Sequence, residues 1–205
     1  MNHNLIGQIL LKEKAVFLNP QKPFTWTSGI KSPIYCDNRT LISNVEARKI
    51  ITQSFIDNIH DLDPNIIAGT ATAGIPWASF IAFEMKLPLI YVRTQDKAHG
   101  RKNSIEGTFN KQDKVILIED LISTGKSSLN AAEKLKSEGL DVVKVMSIFS
   151  YDLQIAQNNF AAANIAYSAL CNFEELIQIA YCNNEFDKNT LEELILWKQG
   201  KKFYE

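Results

Sequence analysis

The chain has 205 residues, 45% hydrophobic and 22% charged, with a formal net charge of −1. This length and balance suit one domain over 1–205 with an ordinary core, and exclude a disordered chain or a global basic field for nucleic acid. Three scattered cysteines (Cys36, Cys171, Cys182) with no CxxC pair point to reduced thiols in a cytoplasmic protein, and no run matches a signal peptide or the ~18 apolar residues of a membrane span.

Asn4 to Phe17 carries Leu5, Ile6, Ile9 and Leu10 on one face and predicts an amphipathic helix, closed by Pro20 and Pro23. Phe24 to Arg39 reads as a hairpin-like region with Gly29 at its turn. Ser43-Asn44-Val45-Glu46 matches a capping box with Ser43 as its first residue. The helix it opens has Ile51, Phe55, Ile59 and Leu62 on one face. A short buried strand, Ile66-Ile67-Ala68, leads into the small-residue turn Gly69 to Gly74, then an apolar helix from Ile75 to Met85 and a strand from Leu87 to Val92.

Arg93 to Asn103 has no apolar periodicity and holds Arg93, Lys97, His99, Arg101 and Lys102, with Gly100 as a hinge. A strand follows from Ile105 to Phe109. Val115-Ile116-Leu117-Ile118 is a further buried strand, which delivers Glu119 and Asp120 to the turn Ser123-Thr124-Gly125-Lys126-Ser127. A helix then runs from Ser128 to Glu138. Strands over Val142–Phe149 and Ile165–Leu170 alternate with helices over Leu153–Ala162, Phe173–Tyr181 and Leu191–Gln199. The alternation predicts parallel β-α units, an α/β fold with a mostly parallel central sheet flanked by helices.

The Gly125-Lys126-Ser127 ending invites a P-loop reading, but Asp120 stands where that motif needs its first glycine. A carboxylate there would face phosphates. Paired acids suit a vicinal diol instead, and the small-residue turn at a helix N-terminus suits one phosphate. Diol and phosphate a few residues apart describe a ribose 5-phosphate.

Val115–Ser127 resembles the phosphoribosyl diphosphate signature of type I phosphoribosyltransferases: four apolar residues, two acids, two spacers, then a Ser/Thr-rich turn with glycine. Three further stretches are similar to the orotate branch of that family. They are Phe24-Thr25, Ser28-Gly29 and Ser32-Pro33-Ile34-Tyr35 with Asp37 and Arg39; Gly69 to Pro76; and Arg93, Lys97, His99 and Gly100 at RxxxKxHG spacing. The resemblance implies transfer of a phosphoribosyl group from phosphoribosyl diphosphate to orotate, giving orotidine 5′-monophosphate in pyrimidine synthesis. It assigns Glu119 and Asp120 to the ribose hydroxyls. The turn with its spacers, Leu121, Ile122, Ser123, Thr124, Gly125, Lys126 and Ser127, falls to the 5-phosphate. Arg93, Lys97 and His99 fall to the diphosphate and to catalysis, and Ser123 with backbone near Tyr35 and Cys36 to the orotate. It further implies Mg²⁺ with few protein ligands, a type I fold with a small hood from about 1–40 and the C-terminal helices, and a homodimer that shares the loop across subunits.

The chain departs from many such relatives by carrying Thr27, Ala73, Thr94 and Tyr151 where they have cations. Lys31 or Arg39 is then left to meet the orotate carboxylate. Trp26, Trp77 and Trp197 read as core or interface residues. A purine phosphoribosyltransferase and a non-catalytic regulator that senses phosphoribosyl diphosphate are the rival functions. The SPxY segment and the RxxxKxHG spacing speak against the first, and the slightly negative charge and single N-terminal helix against a nucleic-acid-reading regulator.

Overall fold

A computed structural model of the protein describes residues 3–26, 29, 31–93 and 104–200. Helix α1 (His3–Lys12) stops because Lys14 turns left-handed (φ 53°), which lets the Ala15 N–H reach the Leu10 carbonyl at 2.9 Å. The helix expected over Asn4 to Phe17 therefore ends early. Val16 and Phe17 instead begin β1 (Val16–Leu18), which pairs antiparallel with β4 (Ile34–Cys36). Between them, β2 (Phe24–Thr25) and β3 (Lys31–Ser32) form the expected hairpin, with Gly29 at φ 84°. With the C-terminal helices, these two small sheets are the segments expected to form the hood.

A 3-10 helix (Asn38–Ser43) leads into α2 (Val45–Ile59). The cap of α2 is Asn44, whose side chain accepts the Ala47 N–H at 3.0 Å. Ser43 is one residue too early for that role, because it still belongs to the 3-10 turn and its hydroxyl donates to the Thr40 carbonyl at 3.1 Å. Beyond α2 the chain alternates through β5 (Ile66–Thr70), α3 (Gly74–Met85), β6 (Leu89–Val92), β7 (Ile105–Glu106), β8 (Lys114–Ile122), α4 (Lys126–Ser137), β9 (Asp141–Ser150), α5 (Gln154–Ala162) and β10 (Tyr167–Asn172). Two helices, α6 (Phe173–Cys182) and α7 (Lys188–Lys198), close it.

The main sheet has the order β10-β9-β8-β5-β6-β7, parallel throughout except for the antiparallel edge pair β6–β7. The central strands are buried on both faces, as parallel strands between helices must be. Val115 and Leu117 enter one apolar cluster, with Leu129 and Leu135 of α4 and Phe160 of α5. Ile116 and Ile118 enter the other, with Phe55 of α2, Trp77 of α3, Phe173 of α6 and Trp197 of α7. The Trp197 indole N–H donates to the Lys31 carbonyl at 3.1 Å, which ties α7 to the hood.

From β5 the chain moves outward to β6 and β7, then returns to place β8 on the other side of β5. Strand order reverses there, and such a reversal opens a crevice at the carboxyl ends of the two strands. The loop after β5 and the turn after β8 therefore face each other. They can approach because Gly74 has no side chain: a Cβ there would lie 2.4 Å from the Ile118 carbonyl oxygen.

Candidate active site

β8 runs longer than its apolar core, through Glu119 and Asp120 to Ile122. The acids are thus held in extended backbone rather than in a solvated turn. The Glu119 carboxylate is buried and accepts three hydrogen bonds: the Asp120 N–H at 3.1 Å on one oxygen, and the Ser127 and Ser128 hydroxyls, each at 3.2 Å, on the other. Burial first, and the Asp120 charge second, push the Glu119 carboxyl up to about 8. Burial raises Asp120 as well. Two adjacent buried carboxyl groups resist ionising together, so the pair is set to accept hydroxyl donors or a cation.

The Asp120 carbonyl accepts the side-chain N–H of Asn38 at 2.7 Å, and the Asn38 oxygen accepts from the Cys36 thiol at 3.3 Å. This buried asparagine joins the hood to the acids. No motif marked it in the sequence; its signal is only a polar residue just after the apolar Ile34-Tyr35-Cys36 strand.

The turn after β8 is shaped by Gly125, at φ 75°, where a Cβ would sit 2.6 Å from the Phe160 ring. Only glycine fits both the left-handed backbone and the ring beneath it. From α5, Asn159 donates to the Thr124 carbonyl at 3.0 Å. With that carbonyl engaged, the N–H groups at the start of α4 are left as donors, the arrangement an anion requires.

A cavity of about 680 Å³ opens from this turn. Ser123, Thr124, Gly125, Lys126 and Ser127 line one end, with Leu121 between. Trp26, Tyr35, Cys36 and Tyr151 line the other. Asp120 and Glu119 line an adjoining space of about 280 Å³ that shares Cys36, Leu121, Ser123 and Ser127. The expected site residues of the hood, the strand and the turn are thus brought together, with one exception: the Ile122 side chain is buried in the cluster beneath the sheet and does not line the cavity.

The aromatic end differs from the expectation. Trp26, read as core or interface, packs against the core and also forms a wall of the cavity, its ring 4.4 Å from that of the buried Tyr151 and edge-on to Trp197 at 6.1 Å. Its indole N–H donates to the Ile34 carbonyl at 3.1 Å, which fixes the ring on the hood. Trp77 and Trp197 do belong to the core. Burial raises the Tyr151 hydroxyl, so it stays neutral. Neither Lys31 nor Arg39 lines the large cavity. Arg39 borders the carboxylate side and is gripped by Asp37 through two bonds of 2.6 and 2.7 Å, which hold the Asp37 carboxyl below its usual range.

Just past β4 the Asp37 N–H donates to the Ala15 carbonyl at 2.7 Å, so Cys36 opposite Val16 is a non-hydrogen-bonded pair of that ladder. The Cys36 N–H therefore points away from β1. Arg93, just after β6, lies outside that cavity, borders a separate space of about 50 Å³ with Thr70 and Ser127, and donates to Glu106 at 3.4 Å. Lys97, His99 and Gly100 lie outside the described residues.

A crevice at the switch point, two acids at a strand end and a phosphate-sized nest fit several sugar-phosphate enzymes. Residues 40–158 match the family model described as the phosphoribosyl transferase domain. Over 197 residues the chain is 46% identical to an orotate phosphoribosyltransferase of Staphylococcus saprophyticus, covering 95% of this chain and 97% of that one. The chain belongs to the orotate phosphoribosyltransferases. Solved structures agree with this orotate phosphoribosyltransferase assignment. Leishmania donovani UMP synthase superposes with a TM-score of 0.83 at 27% identity, over 98% of this chain and 43% of that longer one. The orotate phosphoribosyltransferase of Aeropyrum pernix superposes with a TM-score of 0.76 at 25% identity, over 89% and 99%. These matches confirm the type I fold.

Proposed function

We infer that this protein transfers the phosphoribosyl group of phosphoribosyl diphosphate to orotate, in pyrimidine nucleotide synthesis. The observation that carries the reading is the joint placement of a buried acid pair, an anion nest and an aromatic-walled pocket on one crevice. N1 of orotate attacks C1 of the ribose, the C1–oxygen bond breaks, and diphosphate leaves with that electron pair. The chain's part is placement and electrostatics.

Glu119 and Asp120 accept from the ribose hydroxyls. The N–H groups from Ser123 to Ser127 hold the 5-phosphate, with Lys126 adding charge at the rim. Trp26 and Tyr151, whose rings touch, form the wall for the pyrimidine, beside the backbone of Tyr35 and Cys36, where the Cys36 N–H meets the Tyr151 hydroxyl. Arg93, Lys97 and His99 are assigned to the departing diphosphate. Among the described residues that line the cavity, Lys126 is the cation, and it stands at the phosphate turn; the orotate carboxylate is therefore assigned to neutral donors.

The acid pair also fits Mg²⁺. No group of three or more His, Cys, Asp or Glu side chains forms a metal cage among the described residues. A cation held mainly by substrate oxygens, with Glu119 and Asp120 nearby, is the pattern Mg²⁺ favours. When bound, it neutralises charge on the diphosphate.

A homodimer that shares the cationic segment between subunits is the assembly we propose, in the cytoplasm. No helix among the described residues is long and apolar enough to cross a membrane. Incubation with orotate, phosphoribosyl diphosphate and Mg²⁺ should consume orotate absorbance, whereas adenine and hypoxanthine should not react. Consumption of a purine with orotate untouched would sink the assignment.

A further inference from the structure

Helix α4 reaches beyond the phosphate nest it begins. Lys134, in its last turn, is half-buried and donates its ammonium to the main-chain carbonyl of Arg93 at 3.1 Å, across 41 positions of sequence. Arg93 is the last described residue before 94–103. Its N–H donates to the Ser104 carbonyl at 2.8 Å, and its guanidinium reaches Glu106 of β7 at 3.4 Å. The two ends of the cationic segment thus meet in one stem, and α4 holds that stem through Lys134.

A cavity of about 50 Å³ lies at this junction, bordered by Lys134, Arg93, Asn130, Ser127 and Thr70. The Thr70 hydroxyl is buried there with no hydrogen-bond partner among the described residues. Space of this size among polar groups has room for water to bridge them. The same helix bonds Glu119 through Ser127 and Ser128 in its first turn. A single rigid rod, ~1.5 Å long per residue, therefore spans the acid pair, the phosphate nest and the stem.

We propose that Lys134 is a positioning residue for the transfer reaction, fixing where the cationic segment leaves the sheet relative to the phosphate nest. The proposal rests on the orotate phosphoribosyltransferase reading. A last-turn lysine also complements the helix dipole, and Lys136, exposed in the same turn, provides the control for that plainer role.

The experiment compares Lys134→Met, Lys134→Arg and Lys136→Met in the full-length protein. Lys134→Met should lower kcat roughly tenfold or more, as misplacement of a reacting group does, with KM for orotate changed less than about twofold. Lys134→Arg should restore most of the rate, and Lys136→Met should match the parent. Hydrogen exchange at the Arg93 amide, read without turnover, should quicken roughly tenfold in Lys134→Met alone. Equal kcat in the two Met variants overturns the proposal. So does an unchanged Arg93 exchange rate, or a parallel fall in kcat and melting temperature that Lys134→Arg does not rescue. Should the parent fail to consume orotate, the activity reading falls while the exchange comparison still judges the anchor.

Discussion

Glu119 sits where water no longer keeps a carboxylate charged, and this makes the ligand-free protein sensitive to pH in a definite direction. Its folded value near 8 lies above the ordinary 4.5. Between those values the folded state holds a proton that the unfolded state has released. The stability it contributes is present in full below the lower value and is lost as pH rises toward the upper one. Glu119→Gln removes that dependence. Its melting temperature relative to the parent should therefore be higher at pH 8 than at pH 5.5, while turnover collapses because the diol loses a charged acceptor. A difference independent of pH would show that the carboxyl is already ionised when the site is empty. At the other end of the cleft, Trp26→Leu should raise KM for orotate roughly tenfold, from the loss of base stacking. KM for phosphoribosyl diphosphate should stay near the parent value. Trp26→Phe, which keeps a ring but not the bond to Ile34, should fall between the two in steady-state kinetics.

The elements differ in how plainly the amino acids announce them. The strands over 66–68, 115–118 and 142–149 were legible because parallel strands buried on both faces are continuous apolar runs. The acids after β8 and the glycine of its turn were legible because their chemistry has few other uses in that order. β1 was hidden, since Val16 and Phe17 continue the apolar pattern of α1 and the left-handed residue that separates them is Lys14 rather than glycine. The partner of β1 lies beyond a second hairpin, and no local window contains it. Asn38, Ser128 and Lys134 were invisible for a related reason. Each acts on a residue distant in the chain, through one hydrogen bond that leaves no periodicity. The packing of Trp26 against the core was legible, but not its place in the cavity wall, because an aromatic on a hairpin packs inward more often than it lines a cleft. At this scale Gly74→Ala is the informative substitution. With its Cβ 2.4 Å from the Ile118 carbonyl, α3 must move off β8. Urea unfolding should show a loss of about 1–3 kcal/mol, the usual cost of forcing atoms into a packed site.

For the whole molecule, the acid pair and the cationic segment are separable parts. If the segment acts on the partner's cleft, each of two inactive variants retains what the other lacks. Mixing Lys97→Ala with Glu119→Gln should then recover part of the activity through mixed dimers that contain one intact cleft, measured against each variant alone. No recovery, under conditions where sedimentation shows subunit exchange, would place both parts in one chain's site.

The two apolar clusters on either side of the sheet also divide the substrate between them. Phe160, which props the phosphate turn from below, belongs to one, and Tyr151, Cys36 and the packing surface of Trp26 belong to the other. In the proposed placement, sugar phosphate and pyrimidine thus rest on separate foundations that share the strands between them. A repacking mutation confined to one side should weaken one half of the substrate and spare its other half. The affinities for the two substrates can accordingly drift apart over evolutionary time without any residue of the cleft itself changing.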